Sequence, residues 1–183
     1  TEIGLPLTIL GASVGTETLV LEMAMRARGQ IAELAMIAEP DIGVITNVGP
    51  VHVELLGSIE AVAEAKAELI AGLKEGGTMV VPFEAGHLEP LLAGVPGLVR
   101  FGGEGDVRAV EQEVIAGATR ARIETLQGSQ AFEFPFAEPH NLVNALAAIA
   151  AGTAAGFTPD QLAARTGGIA FSQFRNEHID LGE

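Results

Sequence analysis

Three groups of residues in this chain have the types and spacing for chemistry. The stretch 45–70 runs from an apolar segment into a loop holding Asn47, His52 and Glu54, then into a helical pattern that carries Lys66. Upstream, the apolar run Thr-Leu-Val-Leu-Glu at 18–22 ends in the carboxylate of Glu22. Further on, His140-Asn141-Leu142-Val143-Asn144 opens an Ala-rich run. Ligands of open α/β sheets bind at the carboxyl ends of strands, so residues that follow apolar strand patterns are the first candidates. A carboxylate there suits Mg²⁺, which takes oxygen ligands and retains several waters. The plain alternative for Glu22 is a solvated strand-end acid, and for His52 an exposed loop side chain. Two neighbouring strands ending in Glu22 and His52 make a shared metal edge more coherent than either residue alone.

Lys66 lies mid-helix between Ala65 and Ala67, with Glu64 and Glu68 nearby. One reading is a surface lysine paired with one of these acids. The other is a functional amine, which flanking alanines let approach a metal closely. Asn141 and Asn144 are three apart and share a helical face. Their amides offer both donors and acceptors, as an adenine edge requires, or they cap the helix start.

The elements that must position these residues follow from periodicity. Strands are expected over 18–22, 42–46, 78–82 and 98–101, and helices over 26–38 and 59–73. Ile31, Leu34, Ala35 and Ile37 form the apolar face of the first helix, which Pro40 closes. Ser58 caps the second, and Gly76-Gly77 ends it. Continuous apolar strands alternating with helices predict an α/β fold, a mostly parallel sheet covered on both faces. After Gly102 the character changes. Extended stretches over 107–115, 119–126 and 131–136, with a turn at Gln127–Gln130, predict a small antiparallel region. Helices follow at 140–155 and 159–165, the latter with Thr158 and Gln161 in capping-box spacing behind Pro159. One domain over 1–183 is expected: parallel part about 1–102, antiparallel part about 103–137, helices about 138–170, and a tail over 171–183.

Composition narrows the partners. The net charge is −14 with only two lysines, which argues against nucleic acid, because phosphate contacts need clustered Lys and Arg. An unaided polyphosphate site is equally hard to build, so a metal would have to help. Absence of cysteine removes disulfides, thiolate zinc sites and a Cys nucleophile, and fits a cytoplasmic protein. No apolar run reaches the ~18 residues of a membrane span. With no Trp or Tyr and abundant Ala and Gly, an aliphatic, closely packed core is expected.

Four motifs carry a resemblance. Leu-Glu-Met-Ala-Met-Arg-Ala-Arg-Gly-Gln-Ile at 21–31, Thr-Asn-Val-Gly-Pro-Val-His at 46–52, Ala-Lys-Ala-Glu at 65–68 and His-Asn-Leu-Val-Asn-Ala-Leu-Ala-Ala at 140–148 stand in the order found in Mur ligase central domains. The chain resembles that family over essentially its whole length, most nearly the branch that adds D-alanyl-D-alanine to a UDP-MurNAc-tripeptide in peptidoglycan synthesis. The resemblance implies a fold like that of P-loop nucleotide hydrolases. It also implies use of ATP and Mg²⁺ to turn a carboxylate into an acyl phosphate, which an amine then displaces. It implies that Glu22, His52 and Lys66 are metal ligands, Lys66 as a carbamate. His140, Asn141, Asn144, Arg175 and Asn47 become nucleotide-side residues, with Lys66 and His52 serving catalysis.

The chain also departs from the family. The Gly-rich phosphate loop ending in Gly-Lys-Thr, whose amides and lysine hold phosphates, is absent, and Gly11–Thr18 lacks the lysine. The sequence is therefore expected to be a central-domain piece, inactive as a ligase by itself. The alternatives are a scaffold that self-associates through an exposed sheet edge, or a relative such as another Mur ligase or a folylpolyglutamate synthase.

Overall fold

A computed structural model describes residues 2–49 and 53–170. The first elements in chain order are α1 (Gly4–Leu10), α2 (Gln30–Ala38), β1 (Ile42–Val44), α3 (Val53–Leu56) and α4 (Ile59–Ala67). Glu39 takes a left-handed conformation at the end of α2, with φ 42°, just ahead of Pro40. Proline disfavours helical backbone in the residue before it, so the helix stops there. Ser58 accepts the Ala61 amide and caps α4 as expected. The helix expected over 59–73 is in two parts: α4 tightens into a 3₁₀ turn over Glu68–Gly72.

Strands β2 (Thr78–Pro82) and β3 (Gly97–Phe101) follow. They pair in parallel in the order β1-β2-β3. The sheet is covered on both faces, and β2 shows why. Met79, Val80 and Val81 are all 0% exposed. Met79 and Val81 pack with Ile31, Ala35, Val62, Ala65 and Leu69 from α2, α4 and the 3₁₀ turn, whereas Val80 faces the opposite core with Leu142, Leu146 and Ile149. Those three belong to α5 (Pro139–Ala154).

The second sheet is antiparallel, β4 (Arg108–Ile115), β5 (Ala118–Thr125) and β6 (Gly128–Phe134), in that order. Its second hairpin turns at Leu126-Gln127, tighter than the Gln127–Gln130 expected, and Thr125 pairs with Gly128. The helix α6 (Pro159–Ala163) follows α5, with the Thr158–Gln161 capping box formed, and a 3₁₀ turn over Thr166–Gly168 comes after it. The aliphatic core holds only for the first cluster. The second contains Phe101, Phe132, Phe134 and Phe136, and the last three stack along the sheet and its exit with centroids 5.9 and 5.1 Å apart.

Two expectations fail near the start. Residues 18–22 form no strand, and Val20 is 92% exposed. A strand needs a hydrogen-bonding neighbour, and among the described residues β1 pairs only with β2. The first long helix begins at Gln30 rather than 26, and Ile37 points outward. Ile3, Leu7, Leu10, Val14, Leu19, Val20, Met36 and Ile37 leave apolar surface exposed on this side.

Small residues set how closely the layers approach. A Cβ on Gly43 would lie 2.6 Å from the Met79 sulfur, and one on Gly72 would lie 2.4 Å from the Ala35 Cβ and 2.6 Å from its carbonyl carbon. The second contact is with backbone and has little room to yield. Gly72→Ala should therefore destabilise the chain by about 1–3 kcal/mol through overpacking, read as a lower urea midpoint. An unchanged midpoint would show that α2 can retreat freely.

Candidate functional site

Helix α4 and the loop after β1 build the described part of the site. Ala61, Ala63 and Ala65 are buried and bring α4 close against the sheet. Lys66 projects over the carboxyl end of β1, and its Nζ donates to the Asn47 main-chain oxygen at 2.5 Å. The sequence alternative, an ion pair with Glu64 or Glu68, is not what forms. Glu64 pairs with Arg28 at 2.6 Å. Glu68 accepts the Gly29 amide at 2.7 Å and the Ala32 amide at 3.2 Å.

Half-burial of Lys66 holds its amine below the usual lysine range, because desolvation penalises the ammonium. The folded lysine therefore gives up its proton at a lower pH than an exposed lysine does. A neutral amine is a nucleophile, whereas an ammonium has three donors and no acceptor. An ammonium therefore cannot itself ligate a metal, and in the folded chain Lys66 donates to backbone instead.

Glu22 is exposed and sits in unpaired extended chain, not at a strand end. The chain just after it is anchored: Met23 and Met25 pack into the first core, and the Gln30 side chain accepts the amides of Arg26 and Ala27. Asn47 is exposed beside Lys66, and Glu54 is exposed on α3. His52 and Arg175 lie outside the described residues.

The third group divides. Asn141 is buried, and its Nδ2 donates to Glu138 Oε2 at 3.2 Å. Glu138 is the N-cap residue of α5, so Asn141 braces the helix start, although it is not the cap itself. His140 and Asn144 are exposed and present their polar atoms outward. Spacing alone put Asn141 and Asn144 on one face; burial separates their roles.

Among the described residues no three His, Cys, Asp or Glu side chains cluster as a metal cage. That donor set does not suit a structural Zn²⁺ site. The residues sequence reasoning missed are Arg28 and the structural use of Glu64 and Glu68. The signal was present: Glu64 and Glu68 are four apart on one helical face, and Lys66 lies between them on the other side.

The Mur ligase middle domain family matches residues 1–152. The chain is 38% identical over 179 residues to the UDP-N-acetylmuramoyl-tripeptide–D-alanyl-D-alanine ligase of Bacillus subtilis, covering 97% of this chain and 38% of that protein. It superposes on MurF from Acinetobacter baumannii with a TM-score of 0.91 at 26% identity, over 97% of this chain and 40% of that one. It also superposes on MurF ligase from Thermotoga maritima, solved in complex with ADP, with a TM-score of 0.78 at 34% identity, over 87% and 38% of the two chains. The chain thus spans well under half the length of these relatives.

The depressed Lys66 amine has a pH signature. The unfolded lysine binds its proton more tightly than the folded one, so unfolding takes up protons between the folded pKa and the unfolded value of about 10.4. Stability should rise with pH through that window. Urea midpoints measured from neutral pH to about pH 10 should rise by less in Lys66→Met than in the parent chain; parallel curves would contradict the burial argument.

Proposed function

Because this chain belongs to the Mur ligase family, as its middle domain, we propose that it is the central-domain part of an ATP-dependent ligase that joins D-alanyl-D-alanine to a UDP-MurNAc-tripeptide in peptidoglycan synthesis. The observation that carries this reading is the half-buried Lys66 amine held over the loop after β1, within a chain 38% identical to a ligase of that name. The reading implies a cytoplasmic setting, where ATP is available.

In this proposal Lys66 Nζ, as the neutral amine, attacks carbon dioxide. An N–C bond forms, one nitrogen proton leaves to solvent, and the product carbamate carries one negative charge. The Asn47 carbonyl that Lys66 now holds is released, and an anionic carbamate stands where the amine stood. Glu22, His52 and the Lys66 carbamate would hold Mg²⁺, which supplies charge neutralisation for the phosphates of ATP. Asn144 and His140 face the nucleotide base, Asn141 keeps the start of α5 in position, and Asn47 and Arg175 complete the nucleotide side. Among the described residues Arg28, Lys74, Arg100, Arg108, Arg120 and Arg122 are each engaged by a carboxylate. Few cations are thus left to meet phosphates directly, which favours a metal in that role. Without the Gly-rich phosphate loop, the 183-residue chain by itself is expected to bind nucleotide weakly and to lack ligase turnover.

Calorimetric titration with ATP and MgCl₂ tests this reading. Binding should require Mg²⁺ and weaken about fivefold to tenfold in Asn144→Ala, the loss expected for one hydrogen bond. Binding that ignores both Mg²⁺ and Asn144 would refute the assignment.

A second reading, self-association of this chain, is favoured by one observation, the exposed apolar residues of α1, residues 14–20 and α2 in a chain whose strand β1 pairs on one side only among the described residues. Sedimentation at increasing concentration should then show a dimer that dissociates in Leu7→Glu or Val20→Glu; a monomer throughout would exclude it.

A further inference from the structure

We infer that Glu68 is a positioning residue for the site Lys66 serves: its carboxylate clamps the turn ahead of α2 to one side of α4 while Lys66 reaches from the other. This inference rests on reading Glu22 and Lys66 as metal-site residues.

The need for a clamp begins with backbone chemistry. The first amides of a helix have no intrahelical acceptor. The N-cap of α2 is Gly29, left-handed at φ 87°, and it has no side chain to accept them. Glu68 supplies what is missing from 39 and 36 residues away, one oxygen on the Gly29 amide and the other on Ala32. A carboxylate at a helix N-terminus also meets the positive end of the helix dipole, and charge-assisted bonds of this kind are the stronger ones. Glu64, one turn earlier on the same face, pairs with Arg28, but that pair is about half exposed and contributes little. Glu68 is the main tie.

The tie matters because of what lies on either side. From Glu22 the chain is held by Met23 and Met25 in the core, then by Gln30 on Arg26 and Ala27, then by Glu68 on Gly29 and Ala32. Lys66, two residues before Glu68 and roughly opposite on the helix, holds the Asn47 carbonyl after β1. One turn of helix therefore holds both the β1 loop and the start of α2, to which the chain leads from Glu22. A displacement of about 1 Å between such segments is enough to cost two orders of magnitude in a positioned site.

The experiment uses the 183-residue chain with Mn²⁺ as the probe for Mg²⁺, and reads Mn²⁺ affinity by electron paramagnetic resonance alongside amide exchange. Glu68→Gln keeps the size but loses the charge and one acceptor. It should speed exchange at Gly29 and Ala32 about tenfold and weaken Mn²⁺ about tenfold. Lys66→Met should lose Mn²⁺ with exchange at Gly29 and Ala32 unchanged, and Glu64→Gln should leave both readouts near the parent values. A parent chain that binds no Mn²⁺ overturns the metal-site reading and this inference with it. Parent binding that Glu68→Gln leaves intact overturns the inference alone, whatever the exchange rates do.

Discussion

Burial of the centre of strand β2 on both faces is the constraint on which the rest depends. With Met79 and Val81 packed on one side and Val80 on the other, neither face of the sheet can be wetted. A parallel sheet covered by helices satisfies that requirement. It also obliges each crossover to return over the sheet, so the loops leaving β1, β2 and β3 emerge at one edge. The loop carrying Asn47 lies at that edge, and α4 comes close enough for Lys66 to reach it because alanines and Gly43 leave room.

Helix α4 then does two jobs with one short segment. Its buried alanines dock it on the sheet, and polar residues of α4 and of the 3₁₀ turn that continues it bind backbone on opposite sides. Lys66 takes the β1 loop and Glu68 the start of α2. Packing holds the helix, and the helix holds the loops. The same packing half-buries Lys66 and depresses its amine, so structural support and the lowered pKa of that lysine share one cause.

The acidic balance of the chain is consistent with this division of labour. Among the described residues, six lysines and arginines are engaged in ion pairs, several of them across the antiparallel sheet, where Arg120 meets Glu133 and Arg122 meets Glu111. Those exposed pairs organise surface rather than stability. They leave few cations to meet an anionic ligand directly, which is why a divalent ion is central to the proposed chemistry.

Residue pattern by itself determined the fold class, β2, β3, the three antiparallel strands, both C-terminal helices and the capping box at Thr158, because hydrophobic period and turn chemistry are local. It also marked Lys66, Glu22 and the His140–Asn144 group, because residue type at a given place in the pattern is visible without contacts. Tertiary structure decided the rest. The apolar run at 18–22 carries a strand's composition, but strand formation needs a partner, and composition cannot supply one. Asn141 and Asn144 look alike in sequence, yet only packing buries the first against Glu138 and leaves the second exposed. Lys66 has acidic neighbours on its own helix, yet its bond goes to Asn47, 19 residues away in sequence. The bond from Glu68 to Gly29 spans 39 residues. Such contacts arise from how elements meet in space, and no periodicity along the chain records them.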